Sequence, residues 1–385
     1  MTKKTLWITG AFFVGAIFST LLIRHFILGS SSQEADGFIE GAASDSSDQM
    51  PLHLRPLQGP RGFEFSARLV MPSVVSIDTL EAHRTSDGQT FIAPKAEGSG
   101  VILNKNGIIV TNHHVIQGAN IVQVHITDAQ KGARVFDAKI VGVDLPSDLA
   151  VLKIDAKDLP PIKIGSSKNL KVGEWVIAVG NPLGYTNTLS AGIVSSLGRT
   201  LPTKQSVLVN AIQTDAPINP GNSGGALANA EGELVGINTA IATLSKGSSG
   251  IGFAIPVDRM QRVVNDILKY GHVRYGWFGF NVFPPEVFLY QTNRTRLESL
   301  LHHKLPENGL VIENIAKNGP AVAAGLKRFD VILSIDHKKM NTLLEYISLE
   351  MDKRPGDKVN LRYWSMGQIK TTQFVLAEYP KGTKG

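Results

Sequence analysis

Residues 221–225 read Gly-Asn-Ser-Gly-Gly, inside the longer run QTDAPINPGNSGGAL (Gln213–Leu227). A serine hydroxyl is a weak nucleophile at neutral pH, and it gains force only beside a base of suitable pKa whose tautomer a third group fixes. Upstream, SDLAVL (Ser147–Leu152) supplies Asp148 and TNHHV (Thr111–Val115) supplies His113 and His114. Each fragment alone has an ordinary reading, because Gly, Asn and Ser form turns and a lone histidine is commonly structural. Together, in the order His, Asp, Ser and each beside a strand-like run, they describe a nucleophilic triad. Asp148 follows His114 by 34 residues and Ser223 follows Asp148 by 75, but spacing does not separate His113 from His114. The glycines at 221, 224 and 225 let the N–H groups of Gly221 and Ser223 turn towards one point, where they would stabilise a tetrahedral oxyanion.

Outward from these fragments, β-branched runs recur between Phe65 and Pro256: Val74–Ile77, Val101–Leu103, Ile108–Val110, Ile121–Ile126, Ala150–Ile154, Trp175–Val179 and Leu234–Ile237. Asn106-Gly107, between two of them, signals a tight hairpin. Strands at this spacing without long helical patterns between them predict a mostly β domain, a barrel pair or a sandwich. At Val257 the period changes: Met260, Val263, Val264, Ile267 and Leu268 share a helical face, and Gly271 is the stop. A smaller domain follows, with strand-like runs at Leu310–Ile315, Val331–Ile335, Val359–Trp364 and Thr371–Leu376 and short helices near Pro320–Ala324 and Leu343–Asp352. The expected boundaries are 63–272, 273–380 and a tail at 381–385.

A chain of 385 residues suits two such domains plus extra segments. The formal charge of +6 is scattered, with no Lys/Arg run interleaved with aromatics, so no nucleic-acid partner is expected. The absence of cysteine excludes a disulfide framework, a thiolate zinc site and a cysteine nucleophile. His113-His114 and His302-His303 are adjacent pairs that project differently and make poor shared ligands, so neither metal nor cofactor is expected. At the N-terminus Lys3 and Lys4 precede Leu6–Ile23, 18 residues without a charge, and the apolar character resumes at Phe26–Leu28 after Arg24 and His25. Residues 1–28 therefore read as a cytoplasmic start and a transmembrane helix, with a signal peptide cut near Gly41-Ala42-Ala43 as the alternative. Residues 29–62, rich in Ser, Asp, Gly and Pro, read as a flexible linker.

TNHHV, SDLAVLKI, GNPLG (Gly180–Gly184), QTDAPINPGNSGGAL and GIGFAIP (Gly250–Pro256) together resemble the HtrA family of serine proteases, over about residues 65–380. The resemblance implies a trypsin-like double β-barrel of two six-stranded barrels followed by one PDZ domain, with His114 as base, Asp148 as its orienter and Ser223 as nucleophile. It favours His114 over His113 and implies a homotrimer built through the region of Phe63 and Phe65. With one anchor and one PDZ domain the chain is most similar to the anchored branch of the family. That branch sits in the bacterial inner membrane with protease and PDZ domains in the periplasm, and takes part in the envelope stress response. It senses C-terminal peptides of misassembled outer-membrane proteins and cuts a membrane-bound anti-sigma factor. The alternative is a general quality-control protease for misfolded envelope proteins.

In the trypsin fold the residues ahead of the nucleophile line the pocket for the side chain preceding the cut, here Ala216, Pro217 and Ile218, which predict a small apolar preference. Asn238, Thr239 and Ala240 are expected to supply the edge strand for the substrate backbone. Asn222 replaces the aspartate that pairs with a new N-terminus in many trypsin-like zymogens, so control is expected instead through Leu197–Val207, with Arg199 the candidate transmitter. Trp277-Phe278-Gly279-Phe280 fits the loop that presents N–H groups to a peptide carboxylate in PDZ domains, and ENIAKNGPAVAAGL (Glu313–Leu326) is a PDZ-type signature. Two departures stand out: Phe329 where a glycine commonly precedes Asp330, and an insertion at 284–308 in which Leu297, Leu300 and Leu301 follow a helix-like pattern.

Overall fold

Val74 and Val75, Val101 and Ile102, Ile109 and Val110, and Val151 and Leu152 are adjacent pairs in which both side chains are buried, so these strands are covered on both faces. Val75, Ile102, Ile109 and Leu152 fill the interior of a first barrel. Their neighbours Val74, Val101, Val110 and Val151 pack outward against Ile177, Val179, Ile237 and Ile255 of a second barrel. This explains why the runs read as continuously β-branched rather than alternating with polar residues.

The computed structural model describes residues 63–84, 88–128, 132–181, 187–203, 207–239, 250–288 and 290–380. The first barrel comprises β1 (Val74–Arg84), β2 (Thr90–Ile102), β3 (Ile108–Asn112), β4 (Ile121–Asp128), β5 (Gly132–Asp137), β6 (Lys139–Asp144) and β7 (Leu149–Lys153). Their order is β5-β4-β1-β2-β3-β7-β6. The two ends of that path, β5 and β6, are separated only by Ala138, whose N–H donates to Val122 O at 2.8 Å. They are therefore one bent strand that pairs with β4 by its first half and with β7 by its second, closing six strands into a barrel.

The second barrel follows as β8 (Lys163–Ile164), β9 (Trp175–Gly180), β10 (Thr188–Pro202), β11 (Val207–Thr214), β12 (Ala226–Asn229), β13 (Glu233–Thr239) and β14 (Gly252–Pro256). The path β12-β9-β10-β11-β14-β13 closes on itself because β12 pairs with β13, and β8 lies parallel to the start of β13 as an appendage. Helices α1 (Glu64–Val70) and α2 (His113–Ile116) precede the long helix α3 (Val257–Tyr270). Helix α3 buries Val257, Met260, Val263, Val264 and Ile267, and Gly271 ends it at φ +79°. Leu268 departs from the expected face and is 47% exposed, because the spacing 257, 260, 263, 264, 267 completes the stripe without it.

The C-terminal domain contains β15 (Gly276–Trp277), β16 (Phe280–Val282), β17 (Leu310–Ile315), β18 (Val331–Ile335), β19 (Lys338–Lys339), β20 (Lys358–Ser365), β21 (Gln368–Val375) and β22 (Ala377–Glu378). Helices α4 (Gln291–Leu301), α5 (Pro320–Ala323) and α6 (Leu343–Asp352) accompany them. Phe278, Phe280, Ile312, Ile332, Tyr346, Leu361 and Phe374 form its core. The insertion builds a second apolar layer, in which Leu297 and Leu305 pack with Val311, Val331 and Trp364. Leu300, expected on the same face as Leu297, is 64% exposed, and Leu305 beyond the helix end fills the layer instead. Phe329 takes φ +72°, which accounts for the glycine expected there, and its ring stacks on Phe283 and beneath the Arg328 guanidinium.

Among the described residues no helix is long and apolar enough to cross a membrane; Leu6–Ile23, the linker and the tail lie outside them. Helix α6 opens on a capping box, with Thr342 Oγ1 accepting from Glu345 N–H and the Glu345 carboxylate accepting from Thr342 N–H. Thr342→Ala is expected to cost about 1 kcal/mol, read as a lower urea midpoint for the C-terminal domain.

Candidate active site

The antiparallel register of β3 and β7 sets Asn112 opposite Leu149, so the residues just past one strand and just before the other meet. Those residues are His113, His114 and Asp148. Asp148 is held in a left-handed conformation at φ +55°, and its carbonyl accepts from His113 N–H at 3.0 Å and from the Asn112 amide at 3.1 Å. Its carboxylate accepts from His114 N–H at 2.9 Å through Oδ1 and lies 2.6 Å from His114 Nδ1 through Oδ2. That geometry separates the two histidines: His114 presents its ring to the carboxylate, whereas His113 gives Asp148 only its main chain. A carboxylate on Nδ1 selects the tautomer whose Nε2 is free of hydrogen and can take a proton. Burial pushes the pKa of the His113 ring below 6.5, while the Asp148 charge pulls the other way.

Ser223 comes from the second barrel, on a loop shaped by Gly221 at φ +97° and Gly224 at φ +83°. A Cβ at Gly224 would collide with Ser99 O and Thr111 Oγ1, so only glycine lets the loop close onto β2 and β3. Gly224 N–H donates to Asn238 O at 2.9 Å, and Ser99 N–H donates to Ser223 O at 2.8 Å. Thr239, next to Asn238, reaches Asp148 Oδ2 through its hydroxyl at 3.5 Å. The nucleophile loop is thus tied on one side to Ser99 of β2 and on the other to the residue beside the Asp148 contact.

Comparison with known proteins agrees with this architecture. A family model described as a trypsin-like peptidase domain matches residues 98–237, and one described as a PDZ domain matches residues 293–374. The HtrA-type protease AlgW, solved with a decapeptide, is 33% identical, with 83% of this chain and 99% of that one covered at a TM-score of 0.66. This chain belongs to the HtrA family of serine proteases. The serine endoprotease from Yersinia pestis is 33% identical with the same coverage and a TM-score of 0.59. A "Probable periplasmic serine endoprotease DegP-like" of Pseudomonas fulva (strain 12-X) is 41% identical over 74% of this chain and 56% of its own length. Its counterpart in Hahella chejuensis (strain KCTC 2396) is 40% identical over 76% and 59%. The chain therefore spans a little over half the length of these curated relatives.

Within the HtrA protease domain, Ala216 and Ile218 are buried, and the Pro217 carbonyl accepts from Ser190 Oγ at 2.7 Å. The nearby Asp215 carboxylate is engaged by Ile193 N–H at 2.7 Å, which ties it to β10. Asn238 corrects one expectation: its N–H donates to Gly225 O and its C=O accepts from Gly224, so its main chain is not an open edge for substrate. Thr239 is paired with Phe253 along β14, and Ala240 lies outside the described residues. Arg199 donates from Nε to Gln213 Oε1 at 3.2 Å, at a point where the β10–β11 register shifts.

In the PDZ domain Phe278 and Phe280 are buried and Gly279 turns at φ +82°, with the Phe278 and Gly279 carbonyls accepting from Ala321 N–H at 3.2 Å and Ala316 N–H at 2.8 Å. Trp277 is half-buried and packs beside Tyr379. The C-terminal end of α6 rests on the protease domain: Arg262 donates to Met351 O and Lys353 O at 2.9 Å each, and Arg259 pairs with Asp352 at 2.7 Å. Cations there complement the negative end of the helix dipole.

Sequence reading missed two groups. Ser99 lies between Gly98 and Gly100, and glycines flanking a strand residue mark a close backbone approach. Asp144, four residues before Asp148, is buried and accepts from Tyr275 OH at 2.7 Å, from Ser147 N–H at 3.1 Å and from the Ser147 hydroxyl. Burial pushes its pKa above the ordinary 3.8, while the Ser147 and Tyr275 hydrogen bonds pull the other way. A carboxyl whose folded pKa is raised stabilises fully below the unfolded value, and that contribution is lost as pH rises through the folded value. The denaturation midpoint of Asp144→Asn relative to wild type is expected to increase as pH rises from below 3.8 towards neutrality. A pH-independent difference would contradict this.

Proposed function

We propose that this chain is a serine endopeptidase of the periplasm, anchored in the inner membrane and controlled by C-terminal peptides at its PDZ domain. One observation carries the reading: the 2.6 Å contact of His114 Nδ1 with Asp148, set against a glycine-shaped loop that brings Ser223 from the other barrel. In the proposed reaction Ser223 Oγ attacks the scissile carbonyl carbon while its proton passes to His114 Nε2. Asp148 stabilises the imidazolium, and the N–H groups of Gly221 and Ser223 meet the oxyanion. Collapse sends the proton to the leaving amine, and water then releases the acyl group by the same steps in reverse. The pocket formed by Ala216, Pro217 and Ile218 favours a small aliphatic residue before the cut.

The periplasmic assignment is supported by the names of the curated relatives, and peptide control by AlgW structures that hold a decapeptide or a tripeptide. On this reading residues 63–272 are the protease domain and 273–380 the PDZ domain, with the main chain of Trp277 to Phe280 receiving the peptide carboxylate. A peptide activates only if it binds the active arrangement more tightly than the resting one. The α6 contacts with Arg259 and Arg262 make the PDZ helix a physical part of that balance, and Arg199 is the proposed transmitter on β10. Leu6–Ile23 is the proposed anchor, and Phe65, 58% exposed, with Phe63 on Trp175 is the proposed trimer surface. The peptide-bound AlgW structures and the proposed anchor favour a DegS-type role, regulated cleavage of a membrane-bound anti-sigma factor in the envelope stress response. The second reading is DegP- or DegQ-like degradation of misfolded proteins.

A fluorophosphonate is expected to label Ser223 of the full chain, and Ser223→Ala is expected to abolish labelling and lower turnover by about a million-fold. Peptide-library cleavage is expected after Val or Ala and to rise when free C-terminal peptides are added. Cleavage mainly after Lys or Arg would overturn the pocket assignment. Rapid digestion of unfolded casein without any peptide would favour the second reading.

A further inference from the structure

Ser99, on β2 of the first barrel, is fully buried and makes four hydrogen bonds that converge on the nucleophile loop and its supports. Its hydroxyl donates to Gly221 O at 2.5 Å and accepts from Asn181 N–H at 2.8 Å. Its N–H donates to Ser223 O at 2.8 Å, and its carbonyl accepts from the Thr111 hydroxyl at 2.7 Å. Among these partners Asn181, Gly221 and Ser223 belong to the second barrel's side of the seam, and Thr111 belongs to the strand that leads into His114.

Peptide planes explain what this arrangement controls. The Gly221 carbonyl lies in the plane shared with Asn222, and the Ser223 carbonyl lies in the plane shared with Gly224. Between these two sits the Asn222–Ser223 plane, which carries the Ser223 N–H, and its own carbonyl accepts from Gly225 N–H at 3.0 Å. The Gly221 N–H lies in the plane on the other side of Gly221, whose φ of +97° sets its angle to the plane that Ser99 holds. A planar peptide cannot turn its N–H without turning its carbonyl. Fixing the flanking planes therefore fixes the direction in which the two donors point. Thr188 adds a restraint by donating to Asn222 Oδ1 at 3.1 Å.

We propose that Ser99 is a positioning residue for the oxyanion hole, its hydroxyl and N–H together setting the peptide planes that aim the Gly221 and Ser223 N–H groups. It touches no substrate and acts through the loop. The inference rests on the serine endopeptidase reading above, and the experiment separates the two. Oxyanion donors act on the transition state and not on the ground state, so misaiming them lowers kcat while KM stays in place.

The test uses the full chain at a fixed concentration of activating peptide, with a fluorogenic peptide bearing Val before the cut and a peptidyl boronic acid of the same sequence. Wild type, Ser99→Ala and Ser99→Cys are compared, the last keeping a longer and weaker donor in a chain with no other cysteine. Ser99→Ala is expected to lower kcat about 10-fold to 100-fold, with KM within about two-fold and the pH profile of kcat/KM unmoved. The boronic acid, which mimics the tetrahedral state, is expected to bind more weakly by the same factor as kcat. Ser99→Cys is expected to fall between, and it carries the test by the same ratios if Ser99→Ala does not fold. Unchanged kcat in a folded variant overturns the proposal, as does a loss shared equally between kcat and KM that follows the melting temperature. If a fluorophosphonate fails to label wild-type Ser223, the endopeptidase reading fails and takes the proposal with it.

Discussion

The seam between the two barrels is the constraint on which the site depends. His114 and Asp148 belong to one barrel and Ser223 to the other, so no local fold of either barrel places all three. The loop closes because Gly224 has no side chain to strike Ser99 and Thr111, and because Ser99 N–H holds the Ser223 carbonyl at 2.8 Å. Behind these bonds the outward faces of β1, β2, β3 and β7 share an apolar cluster with Ile177, Ile237 and α3. Burial of that cluster presses the halves together, and the backbone hydrogen bonds give the contact its register.

Much of this arrangement was legible in the chain. Val and Ile runs gave the strands, Asn106-Gly107 gave the β2–β3 hairpin, and Gly271 gave the end of α3, because each depends on local geometry that the residue itself imposes. The three candidate catalytic residues were legible for a different reason: their chemistry restricts which side chains can serve. Ser99 was not read, since a serine in a strand carries no chemistry of its own until the partner loop arrives from over a hundred residues away. Asn238 was misplaced for the same reason. A strand residue looks like an edge until the loop at Gly224 and Gly225 occupies its main chain.

The two domains meet through polar contacts of consequence. Tyr275, at the start of the PDZ region, reaches Asp144, and Asp144 holds Ser147 beside Asp148. The Arg262 guanidinium lies over the Tyr275 ring while donating to the carbonyls at the end of α6. A contiguous set of side chains thus runs from the PDZ helix to the residue next to the carboxylate of the site. Contiguity supplies a route, and coupling along it depends on whether two arrangements of these groups exist.

The most direct measurement is a crystal structure of the full chain with a peptidyl boronic acid. The account predicts boron bonded to Ser223 Oγ, with one boronate oxygen about 2.7–3.1 Å from the N–H groups of both Gly221 and Ser223. The His114 contact with Asp148 and the Ser99 bond to the Gly221 carbonyl would remain in place. An adduct on another residue, or a boronate oxygen turned away from both N–H groups while Ser99 keeps its bonds, would contradict it.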